Sequence, residues 1–237
     1  MNTPGDIISR IDAIRATLPT GVGLVAVSKF HPLDAVLEAA RAGQRMFGES
    51  RVQELQQKVA ALGEMKMAGE PVPPEVDWHF IGHLQTNKVR QLLRLRPAMI
   101  ESVDSERLLE LIDREAQAQG IVQRVLLQVH VAKEETKTGF LPEELSEYFR
   151  RRGFETLKAT HICGVMGMAS NTDDQMRVAA DFRRIRSVFD EISRMCPDLR
   201  GFNTVSMGMS GDYLTAVAEG STLVRVGTAI FGGRSYH

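Results

Sequence analysis

The sequence predicts an α/β fold, a single (β/α)8 barrel of the TIM type. Eight apolar runs of strand length alternate with helical patterns along nearly the whole chain, and several are rich in Val, Leu and Ile. Such runs are typical of parallel strands buried on both faces. No GxGxxG motif follows the first strand, which favours a closed barrel over an open doubly wound sheet. We find no internal repeat, and the 237 residues suffice for one barrel, so a single domain over residues 1–237 is expected.

The strand candidates are apolar runs bounded by turn residues. They are Val22–Lys29, Arg45–Gly48, Trp78–Gly82, Ala98–Ser102, Gln123–Val131, His161–Met166, Asn203–Met207 and Thr222–Val226. In a parallel barrel the functional groups lie at the C-terminal ends of the strands, so these ends are where a site is expected.

The helices between the strands have recognisable first residues. Pro32 and Pro142 suit the first helical position, because the N–H of that position is unbonded in any helix. Asp104 is expected to cap the helix after the fourth strand, and Thr172–Gln175 has the pattern of a capping box. The stretch 63–75 has three prolines and little periodicity, so a mobile surface loop is expected there.

The composition is that of an ordinary globular protein, with 43% apolar and 25% charged residues. A formal net charge of −1 gives no global attraction to nucleic acid, and no apolar run approaches the roughly 18 residues of a membrane span. The basic clusters Arg150–Arg152 and Arg183–Arg186 are best explained as solvated helix faces. Cys163 and Cys196 are far apart and lack CxxC spacing, which favours a reducing cytoplasm.

Lys29 ends the first predicted strand, directly after the apolar run VGLVAVS. On this fact alone, a lysine at the point where the chain reaches water is the simpler explanation. The functional alternative is a partly desolvated amine, because burial disfavours the ammonium form and frees the lone pair for imine formation with an aldehyde. The turns after the last two strands bear on this choice.

Small turns that carry hydroxyl groups follow the seventh and eighth strands, at Ser206–Asp212 and Arg225–Arg234. Loops at these two places are the recurrent phosphate site of this fold. Backbone N–H groups can approach an anion where glycine leaves room, and hydroxyl groups add further donors. The residues concerned are Gly208, Gly211, Gly227, Ser206, Ser210 and Thr228.

Lys29 and the two turns are expected to lie close together. In a closed eight-stranded barrel the eighth strand neighbours the first, and a spacing of about 4.8 Å places the seventh strand roughly 10 Å from the first. That distance suits an aromatic aldehyde whose phosphate lies at the last two strands and whose carbonyl meets Lys29. Arg225 would then face the heteroaromatic ring, and its charge would keep a pyridine nitrogen unprotonated.

Five motifs occur in a recognisable order: VAVSK, FGES, WHFIGHLQTNK, KTGF and SMGMSGD…STLVRVGTAIFGGR. From about Val22 to Tyr236 the chain resembles the pyridoxal 5′-phosphate (PLP) homeostasis protein family, also described as YggS-like. The family's fold is similar to the N-terminal barrel of alanine racemase, which implies the same barrel. The resemblance implies PLP as the cofactor and a role in vitamin B6 homeostasis, with PLP-dependent apo-enzymes as candidate recipients.

The resemblance also implies roles for individual residues. Lys29 would be the Schiff-base lysine, Arg225 would face the pyridine nitrogen, and Met166 would line the ring. The phosphate would be held by Ser206, Ser210, Gly227 and Thr228, with the backbone of Gly208 and Met209. Ser50 would contact the cofactor as well.

Three places depart from the family pattern. Ser50 stands where the family commonly has Asn, so its contact to the cofactor's oxygen is expected to be shorter in reach or water-mediated. Gly211 and the strand ending Gly164–Met168 also differ from the usual residues. These departures affect the fine contacts and leave the assignment of Lys29 unchanged.

The segment Trp78–Lys88 contains His79 and His83, four residues apart, which is the spacing of a metal pair on a helix. Gly82 interrupts the pair, and the segment has the pattern of a strand followed by a loop. No metal site is therefore expected. His79 is better explained as a buried strand histidine with a partner.

The same segment supplies side chains for the barrel mouth. Gln85, Asn87 and Lys88 are expected to line it after the third strand. Lys88 and Lys137 are candidate second amines near the cofactor, although surface charges are the simpler explanation for both.

Two classes of function remain: a PLP-dependent enzyme such as an amino-acid racemase, and a non-catalytic protein that buffers or delivers PLP. Racemisation requires a base on each face of the substrate carbon. Besides Lys29 only Tyr213 is a candidate, and it is better explained as a first-turn helix residue. The chain ends soon after the last strand, so the second domain of alanine racemase, with its tyrosine base and dimer contacts, is not expected. We therefore expect a monomeric PLP carrier without robust catalysis.

Overall fold

The computed structural model describes residues 6–73, 75–131 and 138–233. These residues form a closed barrel of eight parallel strands in sequential order. The strands are β1 (Gly23–Val27), β2 (Met46–Glu49), β3 (Asp77–Phe80), β4 (Met99–Val103), β5 (Gln123–Val129), β6 (Thr160–Gly167), β7 (Thr204–Ser206) and β8 (Leu223–Val226). The predicted (β/α)8 barrel is confirmed, and every strand end lies within two residues of its predicted position.

Helices surround the barrel and pack apolar faces against its outer side. Those within the described ranges are α1 (Asp6–Thr17), α2 (Leu33–Arg41), α3 (Val52–Met67), α4 (Val89–Arg94), α5 (Glu106–Ala118), α6 (Pro142–Arg150), α7 (Gln175–Met195), α8 (Tyr213–Ala218) and α9 (Thr228–Phe231). In α7 the buried stripe includes Phe182, Ile185, Phe189 and Ile192, at the predicted helical spacing. Within these same ranges, no helix combines the length and the apolar character needed to cross a membrane.

Two of the predicted helix caps are wrong. Ser105, not Asp104, caps α5, because the serine hydroxyl reaches the N–H of the third residue after it while Asp104 pairs with a histidine. Asp174, not Thr172, caps α7, since its carboxylate accepts from two successive N–H groups at the start of that helix. Pro142 is the first residue of α6, as predicted.

Two other helix ends differ from the sequence prediction. Pro32 precedes α2 as its N-cap residue, so the helix begins one residue later than expected. The first five residues of the expected loop 63–75 belong to α3, which continues to Met67. An irregular connection leads from α3 to β3, and its described residues are 68–73 and 75–76.

The closure between β1 and β8 decides which residues can meet at the mouth. Ala26 is in register with Val226, and Val25 with Arg225, whose side chain lies inside the barrel. Side chains alternate along a strand, so Val27 also faces the interior. Lys29 follows Val27 by two residues, at the C-terminal rim.

Candidate functional site

Lys29 lies two residues beyond the end of β1, half-buried at the rim of the barrel. Its neighbour across the closure is the turn after β8, where a Cβ on Gly227 would lie 3.3 Å from the Cβ of Val27. Two residues of extended chain span about 6.6 Å, which a lysine side chain can bridge. The turn after β8 is therefore within reach of a long side chain at position 29.

Hydrogen bonds join the turns after β7 and β8 beside this rim. The Oγ of Ser210, in the turn after β7, accepts from the backbone N–H groups of Gly227 at 3.2 Å and Ala229 at 3.3 Å. Thr228 lies between these two N–H groups and is exposed. A hydroxyl and converging backbone N–H groups are the donors that hold phosphate oxygens in many proteins.

The turn after β7 owes its shape to Gly208. Its φ is +97°, and a Cβ there would lie 2.6 Å from the Cβ of Ala216 and 2.9 Å from the Cα of Tyr213. Only glycine meets both demands. The next residue, Met209, is exposed, and its N–H donates to Oδ1 of Asp212 at 2.6 Å. The backbone of Met209, expected at the phosphate, is therefore engaged within its own turn in this structure.

A set of buried polar side chains fills the barrel below the mouth, and we call it the interior cluster: His79, Glu101, Ser206 and Arg225. Nδ1 of His79 lies 2.6 Å from Oε1 of Glu101, while the hydroxyl of Ser206 donates to Oε2 at 2.5 Å. Arg225 donates to Oγ of Ser206 at 2.7 Å and to the carbonyl of Gly167 at 3.0 Å. Ser206 therefore lies one level deeper than Ser210, with its hydroxyl between Glu101 and Arg225.

The interior cluster carries a compensated pair of charges. Burial opposes ionisation of Glu101, but the hydrogen bonds from His79 and Ser206 and the charge of Arg225 outweigh it, so its pKa lies below the ordinary value. Burial lowers the pKa of Arg225, and Glu101, 3.9 Å away, opposes that shift. Arg225 is thus held beneath the mouth as a cation whose charge Glu101 balances.

A second polar group lies on the outer side of the barrel wall, behind Lys29, and we call it the outer cluster: Ser28, Glu49 and Lys58, which are buried, and Glu54, which is half-buried. Nζ of Lys58, on α3, donates to Oε1 of Glu49 at 2.6 Å, to the carbonyl of Ser28 at 2.9 Å and to Oε1 of Glu54 at 3.0 Å. The hydroxyl of Ser28 also donates to Oε1 of Glu49, at 2.6 Å. Burial raises the pKa of Glu49, and the ammonium of Lys58 only partly opposes it.

The remaining residues expected at the site occupy different depths. Met166 is buried and packs with Met99, Leu126 and Cys163 in a small apolar group. Ser50 follows β2 at the rim, where a Cβ on the neighbouring Gly82 would collide with its carbonyl.

Ser50 and Lys88 line a cavity of about 220 Å³ that also includes His83 and Gln85. The structure therefore brings the loops after β2 and β3 together at the mouth. Lys137, the other candidate amine, lies outside the described residues.

The two histidines have separate partners. His79 is buried against Glu101, which confirms the expectation of a strand histidine with a partner. His83 is exposed, and its Nδ1 lies 3.1 Å from Oδ2 of Asp104. Within the described ranges, no group of three or more His, Cys, Asp or Glu side chains is arranged to hold a metal ion.

A cavity of about 490 Å³ opens at the opposite, N-terminal end of the barrel. His79 and Arg124 line it, with Gly23 and Leu223 from the first residues of β1 and β8. This end of the barrel is remote from the donors that converge near Lys29, and in this fold it usually serves stability. The C-terminal mouth is therefore the better candidate site.

Comparison with known proteins agrees with this geometry. The family model described as alanine racemase, N-terminal domain, matches residues 4–235. A pyridoxal phosphate homeostasis protein from Helicobacter pylori strain J99 is 35% identical over 210 residues, covering 89% of this chain and 87% of that protein. Another from Aquifex aeolicus is 37% identical over 217 residues, covering 90% and 87%. The chain belongs to the pyridoxal phosphate homeostasis protein family.

Solved structures extend the comparison to three dimensions. PipY of Synechococcus elongatus PCC7942, with PLP bound, is 38% identical, with a TM-score of 0.84 over 95% of this chain and all of that chain. An alanine racemase from Clostridium difficile has a TM-score of 0.68 at 14% identity, over 96% of this chain and 56% of that chain. This second likeness shows a shared fold alone.

Sequence reasoning missed two charged residues of this homeostasis-family chain. Glu101 interrupts the apolar strand MIESV, and a carboxylate inside such a run is a signal for a buried cationic partner. Lys58 follows Val52 and Leu55 at helical spacing on the buried face of α3, so a lysine on an apolar stripe was the available sign. In both cases the signal marks burial but not the identity of the partner.

Proposed function

We propose that this chain binds PLP at the C-terminal mouth of the barrel, holds it as a Schiff base on Lys29, and serves PLP homeostasis by buffering or delivering it. The observation that carries the proposal is the convergence of the Ser210 hydroxyl with two backbone N–H groups beside the strand end that bears Lys29. A phosphate and an aldehyde on one ring match these two features. The names of the relatives and the PLP bound to PipY support it.

The donor set fits the group. Ser210, Gly227 and Thr228 would hold the phosphate, with the backbone of the turn at Gly208 and, once its N–H exchanges Asp212 for the phosphate, Met209. PLP when bound supplies an aldehyde that condenses with a primary amine, and Lys29 follows the strand that neighbours β8. Hydrogen bonds to Ser206 and to a backbone carbonyl fix the orientation of Arg225, so its guanidinium would be presented to the ring nitrogen as a rigid cation.

Two further residues complete the proposed site. Met166, buried in the barrel, would lie beneath the ring, and Ser50 would approach the cofactor from the end of β2. Met166 would offer an apolar contact and Ser50 a short-ranged polar one. Both would therefore refine the fit of the ring rather than supply its main attachment.

The contacts of Tyr213 favour a carrier over a racemase. Its hydroxyl lies 3.1 Å from Oγ1 of Thr17, on α1 in the outer layer of helices. A base for the second face of a substrate carbon would have to reach the mouth, and Tyr213 is engaged elsewhere. We therefore propose that the chain has no robust catalytic activity, and that PLP-dependent apo-enzymes receive the cofactor from it.

The cellular compartment and the oligomeric state are part of the same proposal. Cys163 and Cys196 are both unpaired and buried, which fits a reducing cytoplasm. We propose a cytoplasmic monomer.

Delivery is tested by loading the purified protein with PLP and mixing it with a PLP-free aminotransferase. In the control, a dialysis membrane separates the same amount of loaded protein from the aminotransferase, so that only released PLP can cross. The expected result is faster recovery of aminotransferase activity in the mixture than in this control. Equal rates of recovery in the two arrangements would exclude delivery by contact and would be consistent with buffering alone. Turnover of L- or D-amino acids by the loaded protein at ordinary enzyme rates, of order 1 s⁻¹ or more, would instead support the racemase alternative.

A further inference from the structure

The backbone on the N-terminal side of Lys29 is held from behind the barrel wall. The carbonyl of Ser28 accepts from Nζ of Lys58 at 2.9 Å, and its hydroxyl donates to Glu49 at 2.6 Å. Both partners are buried, with Lys58 6% and Glu49 0% exposed. Charge-assisted hydrogen bonds in such a setting are short and strongly directional. The residue before Lys29 is therefore fixed through both its main chain and its side chain.

The backbone on the C-terminal side of Lys29 is held by the same group. Phe30 has a φ of +67°, a left-handed conformation that costs a non-glycine residue about 1–3 kcal/mol. Its N–H donates to Oε1 of Glu54 at 2.6 Å, and that same oxygen accepts from Nζ of Lys58 at 3.0 Å. Lys58 therefore anchors the acceptor that holds Phe30 in this unfavourable conformation.

Lys58 itself faces away from the mouth. Gly48 lies on the interior side, since a Cβ there would contact the side chains of Val25 and Val27. The next residue, Glu49, therefore faces the helical layer, and Lys58 meets it there from α3. An apolar side chain at Lys58 alone would leave the buried carboxyl group of Glu49 without its cationic partner, so the ammonium balances Glu49 as well as holding the geometry of this segment.

We propose that Lys58 is a positioning residue for Lys29: it fixes the segment Ser28–Phe30 so that the Lys29 amine points into the mouth. This inference rests on the proposed function of Lys29. In the covalent step the neutral Lys29 amine adds to the aldehyde carbon, a C=N bond replaces the C=O bond, and water leaves. Lys58 exchanges no proton in this step and acts through the backbone alone.

The test compares Lys58→Met with Lys58→Arg and with Lys66→Met, an exposed lysine of the same helix. Two quantities are measured: the rate of Schiff-base formation with PLP, and the affinity for pyridoxine 5′-phosphate, which has the phosphate and ring but no aldehyde. We expect Lys58→Met to slow Schiff-base formation by about tenfold or more, because a displaced nucleophile loses its near-attack geometry. The affinity for pyridoxine 5′-phosphate should stay within about twofold of that of the unchanged protein, because the groups proposed to bind the phosphate lie in the turns after β7 and β8.

The controls separate positioning from folding. Lys58→Arg should recover part of the rate because the guanidinium retains charge and donors, and Lys66→Met should behave as the unchanged protein. Glu54→Ala, which removes the acceptor of the Phe30 N–H, should slow the reaction severalfold and serves as the second variant if Lys58→Met does not fold. An unchanged rate in Lys58→Met, or an equal loss of rate and of pyridoxine 5′-phosphate affinity, would overturn the inference.

A measurement without cofactor keeps this inference distinct from the proposed function. In the cofactor-free protein, hydrogen exchange of the Phe30 amide should quicken by about tenfold in Lys58→Met, because its acceptor loses its anchor. Schiff-base formation that is absent in the unchanged protein would defeat the proposed function of Lys29. Unchanged exchange at Phe30 would defeat the positioning role of Lys58 by itself.

Discussion

Glu101 in the interior cluster and Glu49 in the outer cluster are both fully buried, yet their pKa values shift in opposite directions. Both oxygens of Glu101 are bonded, one to His79 and one to Ser206. Only Oε1 of Glu49 is bonded, and Oε2 has no hydrogen-bond partner within the described part of the chain. Burial therefore does not by itself fix the pKa of a carboxyl group. Each of the two has two hydrogen-bond partners, but those of Glu101 are spread over both oxygens and the charge of Arg225 lies nearby, whereas the charge of Glu54 raises the pKa of Glu49 further.

The largest expected effect is on the interior cluster. Glu101→Gln removes the charge that balances Arg225, which is 4% exposed, and should lower the free energy of unfolding by about 3 kcal/mol. Glu64→Gln, at an exposed position of α3, is the control and should change it by less than about 0.5 kcal/mol. Urea unfolding of the cofactor-free protein measures both. A loss below about 1 kcal/mol for Glu101→Gln would show that Arg225 does not depend on this carboxylate.

The two carboxyl groups should give opposite pH dependences. Because folding lowers the pKa of Glu101, its contribution is present above the unfolded pKa and is lost as the pH falls through the folded pKa. Because folding raises the pKa of Glu49, its contribution is present below the unfolded pKa and is lost as the pH rises through the folded pKa.

Unfolding free energies between about pH 3 and pH 7 check this difference. The stability advantage of the unchanged protein over Glu101→Gln should grow with pH, and its advantage over Glu49→Gln should shrink. Parallel curves for the two variants would contradict the assigned directions of shift.

Two buried serines offer a matched pair of smaller changes. Ser206→Ala removes a donor to Glu101 and the acceptor of an Arg225 hydrogen bond, so a loss of about 2–3 kcal/mol is expected. Ser28→Ala removes one donor to Glu49, with an expected loss of about 1 kcal/mol. Both serines are 0% exposed, so burial does not distinguish them. Equal losses in thermal or urea unfolding would show that the interior cluster is no more tightly bonded than the outer one.

The smallest expected effect concerns the strained residue held by the outer cluster. Phe30→Ala and Phe30→Gly both remove the ring that lies 5.0 Å from the Arg51 guanidinium, but only glycine also relieves the left-handed φ. The glycine variant should therefore be the more stable of the two by about 1 kcal/mol. If alanine were the more stable, Phe30 would not be strained at this position.

The strands and their ends could be predicted from the sequence because they depend on local patterns. Apolar runs between turn residues identified all eight strands, and the glycine and hydroxyl content of the last two turns indicated the mouth where Ser210 and Gly227 meet. The interior cluster depends on register across the barrel instead. Ser206 and Glu101 are 105 residues apart in the chain, and their contact follows only once the barrel is closed.

Competition between hydrogen-bond partners explains the remaining differences. Ser206 was expected at the phosphate together with Ser210, but the two lie at different depths because the side chain of Ser206 faces the barrel interior. Asp174 rather than Thr172 caps α7 because its carboxylate accepts from two N–H groups at once. Neither outcome can be predicted from residue type alone, since each depends on which hydrogen-bond partner is within reach.

The most direct test of the account is to locate the covalent attachment of PLP. The protein is loaded with PLP, reduced with borohydride, digested, and the modified lysine identified by peptide mass spectrometry, with Lys29→Ala as the control. The account predicts modification at Lys29 in the unchanged protein and no reduced adduct in Lys29→Ala, which should keep its barrel because Lys29 lies beyond the end of β1. An adduct on Lys58 or Lys88, or one that persists in Lys29→Ala, would contradict it.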